Sequence, residues 1–150
     1  METVEGFVLD EQLCFALNAA SRAMASCYRP LLDEIGLTYT QYAVMLVLWE
    51  RQSVTLGVLC DRLQLDSGTL SPLLKRLEGL GLLTRRRRPE DERTVQVTAT
   101  EEGIRLRDPA AAAQAQVAAA TGLGPAERAE MRDALHALTS RLRAAAALAS

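Results

Sequence analysis

The chain has 150 residues, a formal net charge of −2, and a composition that is 49% hydrophobic but only 4% aromatic. That length fits one domain with one core of Leu, Val, Ala and Met, and Ala-rich stretches with Leu spacing favour helices over sheet. The acidity of the whole chain speaks against nucleic acid, three cysteines without a CxxC spacing leave no zinc framework or disulfide scaffold in view, and no run approaches the ~18 apolar residues of a membrane span. The segment Met1–Gly6 lacks a basic region and a long apolar stretch, so the sequence predicts a cytoplasmic protein with free thiols.

In chain order, Leu9 and Asp10 open a first helix, with Asp10 as its N-cap and Leu13, Leu17, Ala20 and Met24 at helical spacing. Pro30 should disturb its last part, and Gly36 can end it. Thr38 or Thr40 then caps a second, strongly apolar helix through Trp49. Two short helices follow, Thr55 to Leu63 and Ser67 to Leu80, joined by Gln64-Leu65-Asp66 and closed by Gly81. The period then changes: Thr94 to Thr98 alternates polar and apolar, Leu82 to Arg85 is its natural partner, and Pro89 to Glu92 carries turn chemistry. A helix is expected from Thr100 to about Ala120, broken by Gly122 and Gly124, and Pro125 starts a last helix whose stripe is Met131, Leu135, Leu138 and Leu142. The expected class is mainly α with a small β-wing, a winged helix-turn-helix.

Charge is distributed unevenly. Arg85, Arg86, Arg87 and Arg88 are consecutive, Arg93 follows, and Lys75 and Arg76 precede them, whereas Asp10, Glu11, Asp33 and Glu34 lie elsewhere. An acidic body with one basic edge suits DNA. A second helix of such a pair can enter the major groove by its N-terminus, which here offers the small residues Ser67, Gly68, Thr69, Ser71 and Pro72. Hydroxyls of Ser67, Thr69 and Ser71 can meet base edges or phosphates, Lys75 and Arg76 phosphates, and Arg93 the minor groove. Alternation lets only some of the arginines from Arg85 to Arg88 face DNA; Arg85 is the one assigned to it, with Asp91 and Arg93 of the wing.

The run Asp66-Ser67-Gly68-Thr69-Leu70-Ser71-Pro72-Leu73-Leu74-Lys75-Arg76-Leu77, followed by Asp91-Glu92-Arg93, resembles the multiple antibiotic resistance regulator (MarR) family. The resemblance covers residues 9 to about 107 closely and the later helices in pattern. It departs after the wing, where Ala99-Thr100 stands in place of a Leu-Thr pair. It implies one domain over residues 1–150, with 53–99 the DNA-binding lobe and 9–36 and 100–149 mainly dimerisation helices. It also implies a homodimer reading a pseudo-palindromic operator, with Asp91 and Arg93 in the wing motif.

Leu9 to Leu17, with Tyr28, Tyr39 and Tyr42, further resembles the organic hydroperoxide resistance repressors (OhrR type) within that family. This implies that Cys14 is the oxidisable cysteine and that Tyr28 and Tyr39 hydrogen-bond its thiolate. A cysteine in the first turn of a helix meets free N–H groups and the positive dipole end, which stabilise a thiolate. Phe7, Val8 and Phe15 would form an apolar mouth, while Asp10 and Glu11 oppose the anion if they point inward. Along one straight helix, Cys14 and Tyr28 are ~21 Å apart at ~1.5 Å per residue, so Tyr28 can reach Cys14 only from a second subunit. Cys27 lies ~20 Å along and on another face, which excludes an intrachain disulfide, and Cys60 is expected in the core. Without a resolving cysteine between Ala110 and Ala120, oxidised Cys14 would join a low-molecular-weight thiol or over-oxidise. His136 reads as packed or exposed rather than as a ligand.

The leading expectation is therefore a peroxide-sensing repressor that is not an enzyme and needs no cofactor or metal. Two others stand beside it: a repressor released by a small aromatic ligand, and a one-cysteine thiol peroxidase.

Overall fold

A computed structural model describes residues 5–149 of the chain. Its elements in order are a 3-10 turn Leu9–Glu11, α1 Leu13–Asp33, α2 Tyr39–Arg51, β1 Ser53–Thr55, α3 Leu56–Leu63, α4 Ser67–Gly79, β2 Leu83–Arg88, β3 Asp91–Ala99, α5 Glu101–Arg105, α6 Arg107–Ala120 and α7 Pro125–Ala149. The chain divides into two compact units, Met1–Gln114 and Ala115–Ser150. Among the described residues no helix is long and apolar enough to cross a membrane.

The first unit is organised on α2. Thr38 starts this helix with a reciprocal cap: its hydroxyl accepts the Gln41 N–H at 3.2 Å, and the Gln41 amide oxygen accepts the Thr38 N–H at 3.0 Å. Tyr42, Val44, Met45, Val47 and Leu48 of this helix are buried. The helix packs against α1, α3, α4, β1 and β3, so it needs apolar residues on nearly every side. Leu59 from α3 and Leu70, Leu74 and Leu77 from α4 complete the core, each at most 1% exposed. Burial of each such leucine stabilises the fold by about 1.5–3 kcal/mol.

Several boundaries differ from the sequence expectation. Asp10 lies in the 3-10 turn, not at a cap, and α1 begins at Leu13 after Gln12. Pro30 sits inside α1 without ending it, since burial of Tyr28 and Leu32 on either side holds the helix together. Gly36, at φ 77°, closes the following turn as expected. The wing strands are longer than predicted and extend through the arginine run, where four identical side chains hide the alternation that marks a strand. They belong to a three-stranded antiparallel sheet of order β1-β3-β2, because Ser53–Thr55 pairs with Gln96–Thr98. A three-residue strand is too short to display a period. The helix expected from residue 100 to 120 is two helices with Leu106 between them. Pro109 explains the break, since it lacks the N–H that would bond Arg105 and its ring crowds that carbonyl. In the second unit Gly122, at φ 70°, ends α6, and Pro125 opens α7.

The root of the wing is pinned at one close approach. Thr100 caps α5, its hydroxyl accepting the Gly103 N–H at 3.1 Å and donating to the Gly81 carbonyl at 2.6 Å. The Thr100 N–H donates to the Leu82 carbonyl at 3.1 Å. A Cβ on Gly103 would collide with that same carbonyl and stand 3.1 Å from the Met45 methyl. Gly103→Ala is accordingly expected to destabilise the protein by about 1–3 kcal/mol in urea unfolding. Gly79→Ala, where nothing lies within 4 Å of the added carbon, should be neutral or slightly stabilising.

Candidate nucleic-acid interface and thiol site

Asp66 builds the start of α4. Its carboxylate accepts the Thr69 N–H at 2.7 Å, and hydrogen bonds from Thr69 hold the carboxyl below the usual range. With Asp66 occupied in this way, Ser67, Gly68 and Thr69 face solvent at the helix tip, and Pro72, Lys75 and Arg76 are exposed along the same helix while Ser71 is half-buried. An added Cβ on Gly68 would meet only Asp66, at 3.4 Å. The fold therefore tolerates a larger residue there, and the smallness of this end has its consequence outside the protein, where a backbone can approach closely. Leu70, Leu74 and Leu77 bury the opposite face, which fixes which side is presented.

The arginine run divides by strand alternation. Arg85 is half-buried on the inner side: its guanidinium pairs with Glu78 at 3.2 Å, and its backbone N–H donates to the same carboxylate at 3.1 Å. Glu78 is the partner of the Arg85 side chain in this structure. On the outer side the Arg88 Nε donates to the Gln96 amide oxygen at 2.9 Å, and the Gln96 amide nitrogen donates to Ser53 Oγ at 2.9 Å. Ser53 and Thr98 hydroxyls bond each other at 2.7 Å, so a polar chain crosses all three strands. Above it lies a shallow hollow of about 780 Å³, lined by Thr84, Arg86, Arg88 and Gln96 among others. At the tip, Asp91 accepts the Arg93 N–H at 3.0 Å and the Thr94 hydroxyl at 3.1 Å. The Asp91 carboxylate thus braces the irregular stretch of β3 that follows it, where the register shifts, and presents Arg93 in an exposed position. A cleft of about 330 Å³ lies between Arg93 and the starts of α3 and α4, with Ser67 and Gly57 on its walls. Cys60, expected in the core, is half-buried on the same wall.

Cys14 is the second residue of α1 and is exposed. Gln12 supplies no side-chain cap to this helix; its amide instead donates to the Gly6 carbonyl at 2.8 Å and to the Val8 carbonyl at 3.3 Å. These bonds tie the preceding segment beside the cysteine, a role the sequence reading missed. Phe7 is 82% exposed, while Val8 and Phe15 are half-buried. Tyr28 is buried, and Tyr39 is 50% exposed. Their ring centroids are 5.6 Å apart, and Tyr42 completes a triangle at 5.3 Å from Tyr28 and 6.1 Å from Tyr39. Burial, then the neighbouring Tyr28, raises the Tyr39 phenol; burial and a hydrogen bond with Tyr28 raise Tyr42 further. Both phenols are therefore protonated donors near neutrality. Because α1 continues from Leu13 to Asp33, the structure separates Cys14 from Tyr28 by ~21 Å within one chain. Cys14, Cys27 and Cys60 are all free, and no group of His, Cys, Asp and Glu among the described residues could hold a metal.

Residues 26–108 match the family model of the transcriptional regulators SarA/Rot. The organic hydroperoxide resistance transcriptional regulator of Bacillus subtilis (strain 168) is 50% identical over 102 residues, which are 68% of this chain and 69% of that protein. Among solved structures, reduced AbfR bound to DNA superposes with a TM-score of 0.74 at 34% identity, covering 90% of this chain and 92% of that one. AbfR, from Staphylococcus epidermidis, is also known overoxidised on DNA and in a disulfide form. BpsR of Bordetella bronchiseptica, whose DNA binding is regulated by 6-hydroxynicotinic acid, superposes with a TM-score of 0.79 at 25% identity, covering 89% and 96%. With its three-stranded wing behind an exposed helix tip, the chain belongs to the MarR family of winged helix-turn-helix DNA-binding transcriptional regulators, and within it to the organic hydroperoxide resistance type.

Proposed function

We propose that this chain is a cytoplasmic, homodimeric repressor that holds a pseudo-palindromic operator and releases it when an organic hydroperoxide oxidises Cys14. The observation that carries the reading is the separation of two halves of one site. Cys14 stands exposed at the start of α1, while Tyr28 lies fourteen residues further along the same helix, beyond side-chain reach, with Tyr39 and Tyr42 of α2 packed against it. Two antiparallel copies of α1 bring each cysteine to the other copy's Tyr28 and Tyr39. Exposed Leu9 and Leu13, and Met131, Leu135 and Leu142 on α7, supply apolar surface for such a pairing. The redox forms of AbfR support a thiol as the input. Members of this family act by binding DNA, so a thiol peroxidase is not carried forward.

The chemistry is a displacement at oxygen. The Cys14 thiolate attacks the terminal peroxide oxygen, an S–O bond forms, and the O–O bond breaks. The alcohol leaves as an alkoxide and takes a proton from water, so sulfur loses two electrons and the peroxide gains them. The sulfenic acid then condenses with a low-molecular-weight thiol, losing water and leaving a mixed disulfide. Either product replaces the anion that the phenols stabilise, and the lost hydrogen bonds bias the helices that carry the reading heads. On DNA, Ser67, Thr69 and Ser71 with Pro72 meet the major groove, Lys75 and Arg76 meet phosphates, and Arg93 enters the minor groove.

A second reading is favoured by one cleft of about 260 Å³ bounded by Tyr42, Leu46, Trp49, Arg107 and Gln114. Its size and aromatic wall suit a small aromatic ligand such as the acid that regulates BpsR, with Arg107 to meet a carboxylate and Glu50, also on the wall, held by Arg62. Release of the operator by such an acid from Cys14→Ser protein would favour this reading over oxidation.

Two outcomes test the proposal. Wild-type protein should lose operator affinity at least tenfold after one equivalent of cumene hydroperoxide, and Cys14→Ser should lose less than twofold in the same mobility-shift titration; equal release of both proteins contradicts the assignment. Arg93→Ala should weaken operator binding about tenfold and reduce the slope of log affinity against log salt by about 1. Arg85→Ala, which breaks the Glu78 pair, should instead act mainly through a lowered melting temperature.

A further inference from the structure

Trp49 is the only tryptophan of the chain, and it is half-buried near the C-terminal end of α2. Its ring packs on Tyr42 with centroids 6.2 Å apart, and Tyr42 in turn touches Tyr28 and Tyr39. On its other side the indole N–H donates to the Gly103 carbonyl at 2.8 Å, across 54 residues of sequence. Gly103 is the residue whose missing side chain lets α5 lie against the Leu82 carbonyl, immediately before the first wing strand. One continuous line of contacts therefore runs from the tyrosine cluster along α2 to the wing root. The two ends of that line are ~15 Å apart, given ten residues of helix between Tyr39 and Trp49. Both ends are directional: a phenol pair at one, a single N–H to carbonyl bond at the other. The Thr100 bonds and the Gly103 approach seat α5 on Leu82, and the indole bond adds a directional tie from α2 to that same turn.

We infer that Trp49 is a positioning residue for regulation: its hydrogen bond to Gly103 transmits the state of the tyrosine cluster to the wing. The inference rests on the proposed peroxide response, because oxidation of Cys14 is the event that would disturb the cluster. Coupling is read by comparing the effect of oxidation on operator affinity with and without the indole bond. Trp49→Phe leaves an aromatic ring next to Tyr42 and removes the N–H donor together with part of the indole's bulk.

The expected result is that reduced Trp49→Phe binds operator within about threefold of wild type and melts within a few degrees of it. After complete Cys14 oxidation, verified by intact mass, its affinity should fall at least tenfold less than that of wild type. An equal fall in oxidised wild type and oxidised Trp49→Phe overturns the inference. An independent readout uses the single tryptophan, excited at the red edge of its absorption in the otherwise wild-type chain. Its fluorescence lifetime should change when operator duplex is added to reduced protein, and not when a scrambled duplex at the same salt leaves the protein unbound. An unchanged lifetime on operator binding also overturns it. Should Cys14 of wild type resist oxidation, or oxidation fail to release DNA, the peroxide reading fails. The lifetime response to operator then decides the link from Trp49 to the wing on its own.

Discussion

The burial of α2 is the constraint on which the first unit depends. It packs against α1, α3, α4 and two strands of the sheet, with Val44, Met45 and Leu48 at most 1% exposed. A helix held from so many directions cannot move by itself; it moves its neighbours or stays in place. Its two ends carry different chemistry. Tyr39 and Tyr42 at the start belong to the aromatic triangle, and Trp49 near the end bonds the carbonyl of Gly103 beneath the wing. The same helix thus joins the tyrosine cluster to the root of the wing.

The basic edge works by subtraction. Four consecutive arginines look like one patch, but the pleat assigns them opposite sides. Arg85 neutralises Glu78 and closes the base of β2 onto α4, and Arg88 lies across the sheet on Gln96. Asp91, an anion in a basic wing, spends its oxygens on the Arg93 N–H and the Thr94 hydroxyl. A carboxylate facing phosphate would repel it, so the bracing role accounts for an acidic residue at that position. Arg93 at the tip, Ser67 across the cleft, and Lys75 and Arg76 along α4 are exposed side chains that can meet a duplex without first breaking a bond inside the protein.

Much of this was legible in the amino-acid sequence, for identifiable reasons. The caps at Thr38, Thr55 and Asp66 announce their helices because each side chain satisfies an orphan N–H three residues on. The glycines at 36, 81 and 122 sit at positive φ, a conformation that other residues avoid. The pairing of Arg85 with Glu78 was not legible, because it joins a helix to a strand and depends on which way the strand pleats. The Gln12 tether was hidden because its partners are backbone carbonyls, which carry no sequence signature. Pro109 was readable and shows that an Ala-rich run can mask a break between two helices. The role of Gly103 emerges only from tertiary packing, since nothing local requires glycine there.

Within one chain the length of α1 keeps Cys14 away from the tyrosines, so the account stands or falls on two copies completing each other's site. The most direct measurement is disulfide trapping of Tyr39→Cys in a Cys27→Ser, Cys60→Ser background under mild oxidation. The account predicts a covalent dimer joined between Cys14 and position 39, identified by peptide mass and absent from the same background that retains Tyr39. A monomer with an intrachain bridge, or no Cys14 crosslink while the protein is dimeric in solution, would contradict it.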